Sequence, residues 1–234
     1  MFKKRFFCWA CQILASIAVA MLIFGNAYGE PLKTVLKPAS ISLELDNSRV
    51  IRLDGAINPI SAAQIISTLR DLDDGKPAYL IISSPGGSVF AGLDIIKQID
   101  LMKYPLTCVV DKYAASMAAL VSASCPTLMA HKYAVFMFHE YAGAMQGSRK
   151  EMRSQLQLAE AVWNAICKDM SKRMNMSEAE FRRRSGEDWW FNGYEAARMG
   201  FSRAVVDKIH IKYSVTDKLF KKVFGVFSSE PEEE

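Results

Sequence analysis

The run Tyr79-Leu80-Ile81-Ile82-Ser83-Ser84-Pro85-Gly86-Gly87-Ser88-Val89-Phe90-Ala91-Gly92-Leu93 decides the fold class. Its first four residues form a short, fully apolar stretch of the kind buried on both faces of a parallel sheet. Ser84-Pro85-Gly86-Gly87 ends that strand. From Val89 to Leu101 the apolar spacing turns helical. A buried strand, a tight glycine turn and a helix make one unit, and similar units flank it on both sides.

Upstream, Ile41 to Leu45 alternates as a strand, and Val50 to Leu53 is a second strand closed by Asp54-Gly55. Ser61 to Leu69 reads as a helix, broken by Asp73-Asp74-Gly75-Lys76-Pro77. Downstream, Leu106 to Val110 is another buried strand, Ala114 to Ala123 a helix of small residues, and Tyr133 to Phe138 a strand. Ser148 to Met174 is a long amphipathic helix. Short helices follow at Ser177–Arg184, where Ser177 can cap the N-terminus, and at Tyr194–Met199, closed by Gly200. Strand–helix alternation with short loops predicts an α/β class. A chain of 234 residues holds one such domain of about 200 residues.

The ends read differently. Lys3, Lys4 and Arg5 precede an uncharged, largely apolar run, Phe6 to Gly29, and no acid appears before Glu30. Ala27 and Gly29 supply small residues at the −3 and −1 positions of a cleavage site. Residues 1–29 are therefore expected to be a signal peptide or signal anchor, with membrane contact through residues 6–25. Positive residues stay on the cytoplasmic side, which places the body in the periplasm or at the outer face of the inner membrane. Residues 30–40 read as a linker and 41–213 as the functional domain. Residues 214–234 read as an amphipathic helix followed by an acidic tail. The formal net charge of +4 carries the three leader cations, so the body is near neutral at +1. Nothing there argues for nucleic acid. Cys108, Cys125 and Cys167 lie in the body without CxxC spacing, which fits neither a zinc site nor a disulfide framework. Cys108 reads as a small core residue, and whether any pair is bridged stays open. No metal or cofactor is expected.

Three places carry chemistry. The Gly86-Gly87 turn feeds a helix N-terminus, which suits an oxyanion hole; it lacks the lysine and the spacing of a phosphate loop. Ser116 stands among alanines just past a buried strand, with room for a substrate and the N–H of Met117 beside it. That position also suits a plain helix cap. His139 follows the strand Val135-Phe136-Met137-Phe138 and can take a proton from a serine hydroxyl. His131 reads as a surface turn residue, and His210 has no evident partner. A serine–histidine pair needs a third group to fix the imidazole. Asp188, ahead of Trp189-Trp190-Phe191, is the best candidate; Asp111 and Asp207 are weaker.

Taken together, these stretches resemble the Clp protease proteolytic subunit (ClpP) family. Ile82 to Leu93 is similar to its glycine loop, Ala114-Ala115-Ser116-Met117 to its nucleophile motif, and Met137-Phe138-His139-Glu140 to its histidine motif. Asp188 to Phe201 resembles the segment with the acidic residue and the following helix. The likeness covers about residues 41–210, in the order Ser, His, Asp. It implies a ClpP/crotonase-like spiral of β-β-α units with a helical handle near Ser148–Met174, and a serine endopeptidase. It implies Ser116 as nucleophile, His139 as base, Asp188 as orienting carboxylate, and the amides of Gly87 and Met117 as oxyanion hole. Peptide or unfolded protein would bind as an added strand along Gly86, Gly87 and Ser88, in a homo-oligomeric ring. Glu140 and Tyr141 stand where the family usually has Gln-Pro. The leader implies action without ATP. Two other readings compete: a non-catalytic or non-peptidase binding protein of the same fold, and a signal-peptide-peptidase-like membrane protease with a Ser-Lys dyad, for which Lys112 is the nearest lysine.

Overall fold

The structure, a computed structural model, describes residues 40–143 and 146–214. The expected leader, the linker up to residue 39 and most of the segment assigned to the C-terminal helix and tail lie outside the described residues; Ser40, read as the end of the linker, is the first residue of a strand. Among the described residues no helix is long and apolar enough to cross a membrane.

The elements run in the expected alternation. They are β1 (Ser40–Asp46), a 3₁₀ turn (Asn47–Arg49), β2 (Val50–Asp54), α1 (Pro59–Asp71), β3 (Ala78–Ser84), α2 (Val89–Leu101), β4 (Leu106–Ala115) and α3 (Met117–Ala123). Then come β5 (Thr127–His131), β6 (Val135–Phe138), α4 (Arg149–Arg173), α5 (Glu178–Ser185), β7 (Trp189–Asn192), α6 (Gly193–Arg198) and β8 (Val205–Lys212). Local chemistry sets most helix starts. Asn58, Ser148 and Asn192 each accept from the first turn and receive a side chain back from the third helical residue, closing capping boxes on α1, α4 and α6. Ser177 caps α5 as the sequence indicates.

One sheet holds the strands in the order β1-β8-β5-β4-β3-β2, all parallel, with helices providing the crossovers. β4 has two partners on one side. Its first half, Thr107–Val110, pairs with β5, and its last three residues, Tyr113–Ala115, pair in parallel with β6. β6 then takes β7 antiparallel. The sequence expectations differ here in several places. Ala114 and Ala115 belong to the strand, so the small-residue helix starts at Met117. β5, β7 and β8 are strands that the sequence pattern did not announce. His131 is the last residue of β5 and is half-buried rather than a surface turn.

The core is continuous and aliphatic under the parallel strands. Leu80, Ile82, Cys108, Val110, Ile95 and Ile99 are fully or almost fully buried. Beside β6 and β7 it becomes aromatic. Phe136 and Phe138 both stack on Phe191, and Phe138 meets Phe181 edge-on. Cys108 is buried in the core as expected, and it is also bonded: a disulfide joins it to Cys125, with Cα atoms 6.0 Å apart. Cys167 is free and buried. Arg173, near the end of α4, ties that helix to the body: it bonds Asp169, Asp100 and the carbonyl of Ser124. That anchor seats the second half of α4 beside α3.

Candidate active site

Three neighbouring strands, β3, β4 and β6, run parallel and so end at the same edge of the sheet. Carboxyl edges of parallel strands are where loops gather functional groups. The glycine loop follows β3, Ser116 follows β4 and His139 follows β6. Register makes the alignment specific. Ala115 lies opposite Met137, and the N–H of Ser116 donates to the carbonyl of Met137 at 2.8 Å. Histidine two residues past Met137 therefore emerges beside serine one residue past Ala115. Ser116 Oγ and His139 Nε2 are 2.6 Å apart. The hydroxyl donates to Nε2 in the tautomer that keeps its hydrogen on Nδ1.

Ser116 has φ 54° and ψ −126°, a conformation that costs a non-glycine residue about 1–3 kcal/mol. It makes no side-chain cap bond, so the helix-cap reading of this serine fails. The sharp strand-to-helix turn lifts Oγ clear of the backbone, the logic of a nucleophile elbow. The cost is carried by a tight surround. A Cβ on Gly86 would lie 2.6 Å from the carbonyl oxygen of Ala115 and 2.8 Å from the N of Met117. A Cβ on Gly87 would lie 2.3 Å from the carbonyl oxygen of Ile57. Both glycines have positive φ, 91° and 144°. Only residues without a side chain let this loop lie against the serine turn.

The loop's own bonds sort its amides. Gly86 N–H donates to Ser84 Oγ, and the Gly86 carbonyl accepts from Ile57 N. Ser88 N–H donates to Ile57, while the Ser88 hydroxyl caps α2 by accepting from Ala91 N. Among the described residues the N–H groups of Gly87 and Met117 have no such partner. Both residues line the cavity in front of Ser116, so these two amides are available to an oxyanion there. Gly87 and Met117 line one cavity with Ser116 and His139; Gly86 packs behind them, and the Ser88 hydroxyl is spent on the helix.

Asp188 arrives by a different route. β7 runs antiparallel to β6 with Phe138 opposite Trp189. Continuing that register by one residue sets His139 opposite Asp188. Asp188 is exposed, with φ 54°, and no hydrogen bond joins it to His139 among the described residues. Asp111, half-buried on β4, and Asp207, on β8, stand away from this edge: Asp207 pairs with Lys132 and accepts from Ser40. His210 lies on β8 opposite Glu44. Lys112 is exposed on β4 and makes no hydrogen bond with Ser116, so the serine's partner is the histidine and a Ser-Lys dyad finds no support.

The cavity in front of Ser116 measures about 230 Å³. Leu120 from α3 and Val162, Trp163 and Ile166 from α4 form its apolar walls; Glu140, Tyr141 and Gln155 supply the remaining polar lining. The sequence reading did not place α4 at the site. The signal was there in the spacing of Ala159, Val162, Trp163 and Ile166, an i, i+3, i+4, i+7 stripe, but such a stripe looks the same whether it covers core or cavity. Among the described residues no cluster of three or more His, Cys, Asp or Glu is placed to hold a metal.

Comparison with known proteins agrees with this geometry. The Clp protease family model matches residues 36–209. Three relatives align along most of their length. ATP-dependent Clp protease proteolytic subunit 1 of Protochlamydia amoebophila (strain UWE25) is 29% identical over 168 residues, covering 69% of this chain and 82% of the relative. Proteolytic subunit 2 of Synechococcus sp. (strain CC9605) is 28% identical, with 68% and 84% covered. The proteolytic subunit of Streptococcus suis (strain 98HAH33) is 25% identical, with 70% and 87% covered. With a mainly parallel sheet, the glycine loop at its carboxyl edge and a family match that spans the described body, this chain belongs to the Clp protease family.

Proposed function

We propose that this protein is a serine endopeptidase that hydrolyses peptide bonds outside the cytoplasm without ATP. The observation that carries the catalytic part is the 2.6 Å contact between Ser116 Oγ and His139 Nε2, with Ser116 held in a strained turn. Ser116 Oγ attacks the scissile carbonyl carbon, and its proton passes to Nε2. The carbonyl oxygen becomes an oxyanion facing the amides of Gly87 and Met117. The imidazolium then gives its proton to the leaving amine, and the C–N bond breaks. Water, deprotonated by His139, releases the acyl group from Ser116. Asp188 is assigned to Nδ1, where it would fix the tautomer and stabilise the imidazolium. A peptide or unfolded chain lies along the loop at Gly86 and Gly87 as an added strand.

Two features support this compartment. Residues 1–29 have the composition of an export signal or anchor, and the Cys108–Cys125 disulfide fits an oxidising environment rather than a reducing one. A body outside the cytoplasm has no ATP to draw on. Ring assembly is also part of the proposal: Arg149 to Leu158 of α4 is exposed throughout and carries Met152, Leu156 and Leu158 on its surface, as a helix that packs against other subunits would.

A fluorophosphonate probe tests the nucleophile. Wild-type protein is expected to label, and Ser116→Ala and His139→Ala are expected not to. Labelling that survives in Ser116→Ala overturns the assignment; absence of labelling and of peptide hydrolysis in wild type favours a binding protein instead. Cells producing the full chain test the compartment. A thiol-reactive reagent that cannot cross membranes, applied before and after reduction of intact outer-membrane-permeabilised cells, should find Cys125 only after reduction. Cysteines that stay protected until the inner membrane is lysed would place the body in the cytoplasm.

A further inference from the structure

The cavity beside Ser116 has one acidic or basic side chain apart from the imidazole of His139 among its described lining residues, and it is an acid. Glu140 follows His139 directly. Its N–H donates to the carbonyl of Ser185 at 3.0 Å, which fixes the backbone at the cavity's rim. Its carboxylate makes no hydrogen bond and no ion pair among the described residues. Arg182 feels its field but is committed elsewhere: its guanidinium bonds Glu178 and Asn164. Behind Glu140 the walls are apolar: Leu120 and Ile166 are each 7% exposed and Trp163 9%, while Phe90 and Leu158 at the mouth are open to solvent.

We propose that Glu140 makes this pocket selective for a lysine or arginine side chain on the residue that donates the scissile carbonyl. The inference rests on Ser116 being the nucleophile, because that places the side chain of the acylating residue at this cavity. At about 230 Å³ the cavity is smaller than the ~300–1,000 Å³ of sites for drug-sized ligands and suits one side chain. A lysine or arginine buries its methylene stem along Leu120, Val162 and Trp163 and keeps its charged head at the rim. There the head meets a carboxylate with unfilled acceptor capacity, in a charge-assisted contact. An unbranched apolar side chain fills the same walls but leaves the exposed carboxylate to solvent and forgoes that contact. An acidic side chain meets like charge. Because the rim is open to solvent, the preference is modest, roughly tenfold in kcat/KM over an uncharged side chain of similar length.

The test uses three fluorogenic peptides that differ only at the residue donating the scissile carbonyl: lysine, norleucine or glutamate. Wild type is expected to cleave the lysine peptide about ten times better than the norleucine peptide in kcat/KM, and the ratio is expected to shrink at high salt. Glu140→Gln should bring the ratio close to one. Glu140→Lys should put the glutamate peptide ahead of the lysine peptide. A lysine-to-norleucine ratio unchanged in Glu140→Gln overturns the proposal, as does a wild-type preference for norleucine or glutamate. Fluorophosphonate labelling of wild type, which involves no peptide side chain, separates the two readings. Absent labelling overturns the nucleophile; normal labelling with the wrong peptide ratio overturns only the role of Glu140.

Discussion

The two arms that carry Ser116 and Asp188 are built in opposite ways. The nucleophile arm, β4–Ser116–α3, is buried along all of α3 and half of β4. Its turn is pressed by Gly86, its amide is bonded to Met137, and its ends are joined by the Cys108–Cys125 bridge across 17 residues of sequence. The acid arm, α5–Asp188–β7, holds its aromatic residues firmly and leaves its carboxylate loose. Trp189 packs on Phe138 and Phe191 and takes the Arg184 guanidinium 4.7 Å above its ring, while Asp188 is exposed with no hydrogen bond to the histidine. A strained residue persists only where its surroundings over-determine it. Ser116 meets that condition. Asp188, also at φ 54°, stands exposed just ahead of β7.

The contrast fails at once if the nucleophile arm is not the chemical centre. Ser116→Ala is expected to lower peptide hydrolysis by roughly 10⁴- to 10⁶-fold, read as kcat/KM, with folding intact by circular dichroism. The next effect tests the bridge. Reduction with dithiothreitol, or Cys125→Ser, should cost about 3 kcal/mol of stability, measured as a lower denaturant midpoint, because the cross-link limits the unfolded chain. It should slow fluorophosphonate labelling as well, since the bonded segment contains both Ser116 and Met117. Undiminished stability on complete reduction would show that packing alone holds this arm.

The acid arm is expected to yield smaller changes. Asp188→Asn should reduce kcat/KM by roughly 10- to 100-fold, well short of the ~10⁴-fold loss seen where the aspartate–histidine bond is preformed, and should leave the denaturant midpoint within about 0.5 kcal/mol. A loss as large as that of His139→Ala would mean that Asp188 is fully engaged in the working enzyme. The smallest effect lies in α5. Arg183 and Arg184 hydrogen-bond Glu180 and lower its carboxyl from 4.5 to about 2. A depressed folded value stabilises the fold above the unfolded value and loses that contribution as pH falls. The stability difference between wild type and Glu180→Gln should therefore hold down to about pH 4.5 and vanish by about pH 2.

Much of the site was legible because its signals are local. Glycine after a buried strand, serine after a buried strand and histidine after a buried strand each declare an edge, and their order matches the family. Capping residues such as Ser148 with Glu151 declare helix starts by contacts three residues apart. The strands that escaped notice have a common cause. β8 alternates half-buried and exposed positions after Val206 and carries Lys208 and Lys212, and its strand character depends on pairing with β1, some 165 residues earlier in the chain. β7 is four residues of aromatic bulk whose strand character comes from pairing with β6. Ala114 and Ala115 have helical propensity, yet pairing with Phe136 and Met137 keeps them extended.

The sequence by itself thus determined the α/β class and named Ser116 and His139 as candidates at strand ends, since each reading depends on residues a few positions away. Tertiary structure alone decided the rest. It selected Cys125 as the partner of Cys108, held Ser116 at positive φ with no side-chain cap bond, left the amides of Gly87 and Met117 free, and set α4 over the cavity with Glu140 in its lining. Each of these depends on which distant strands and helices meet and at what register, and contacts between remote segments are fixed by packing, which local propensity does not encode.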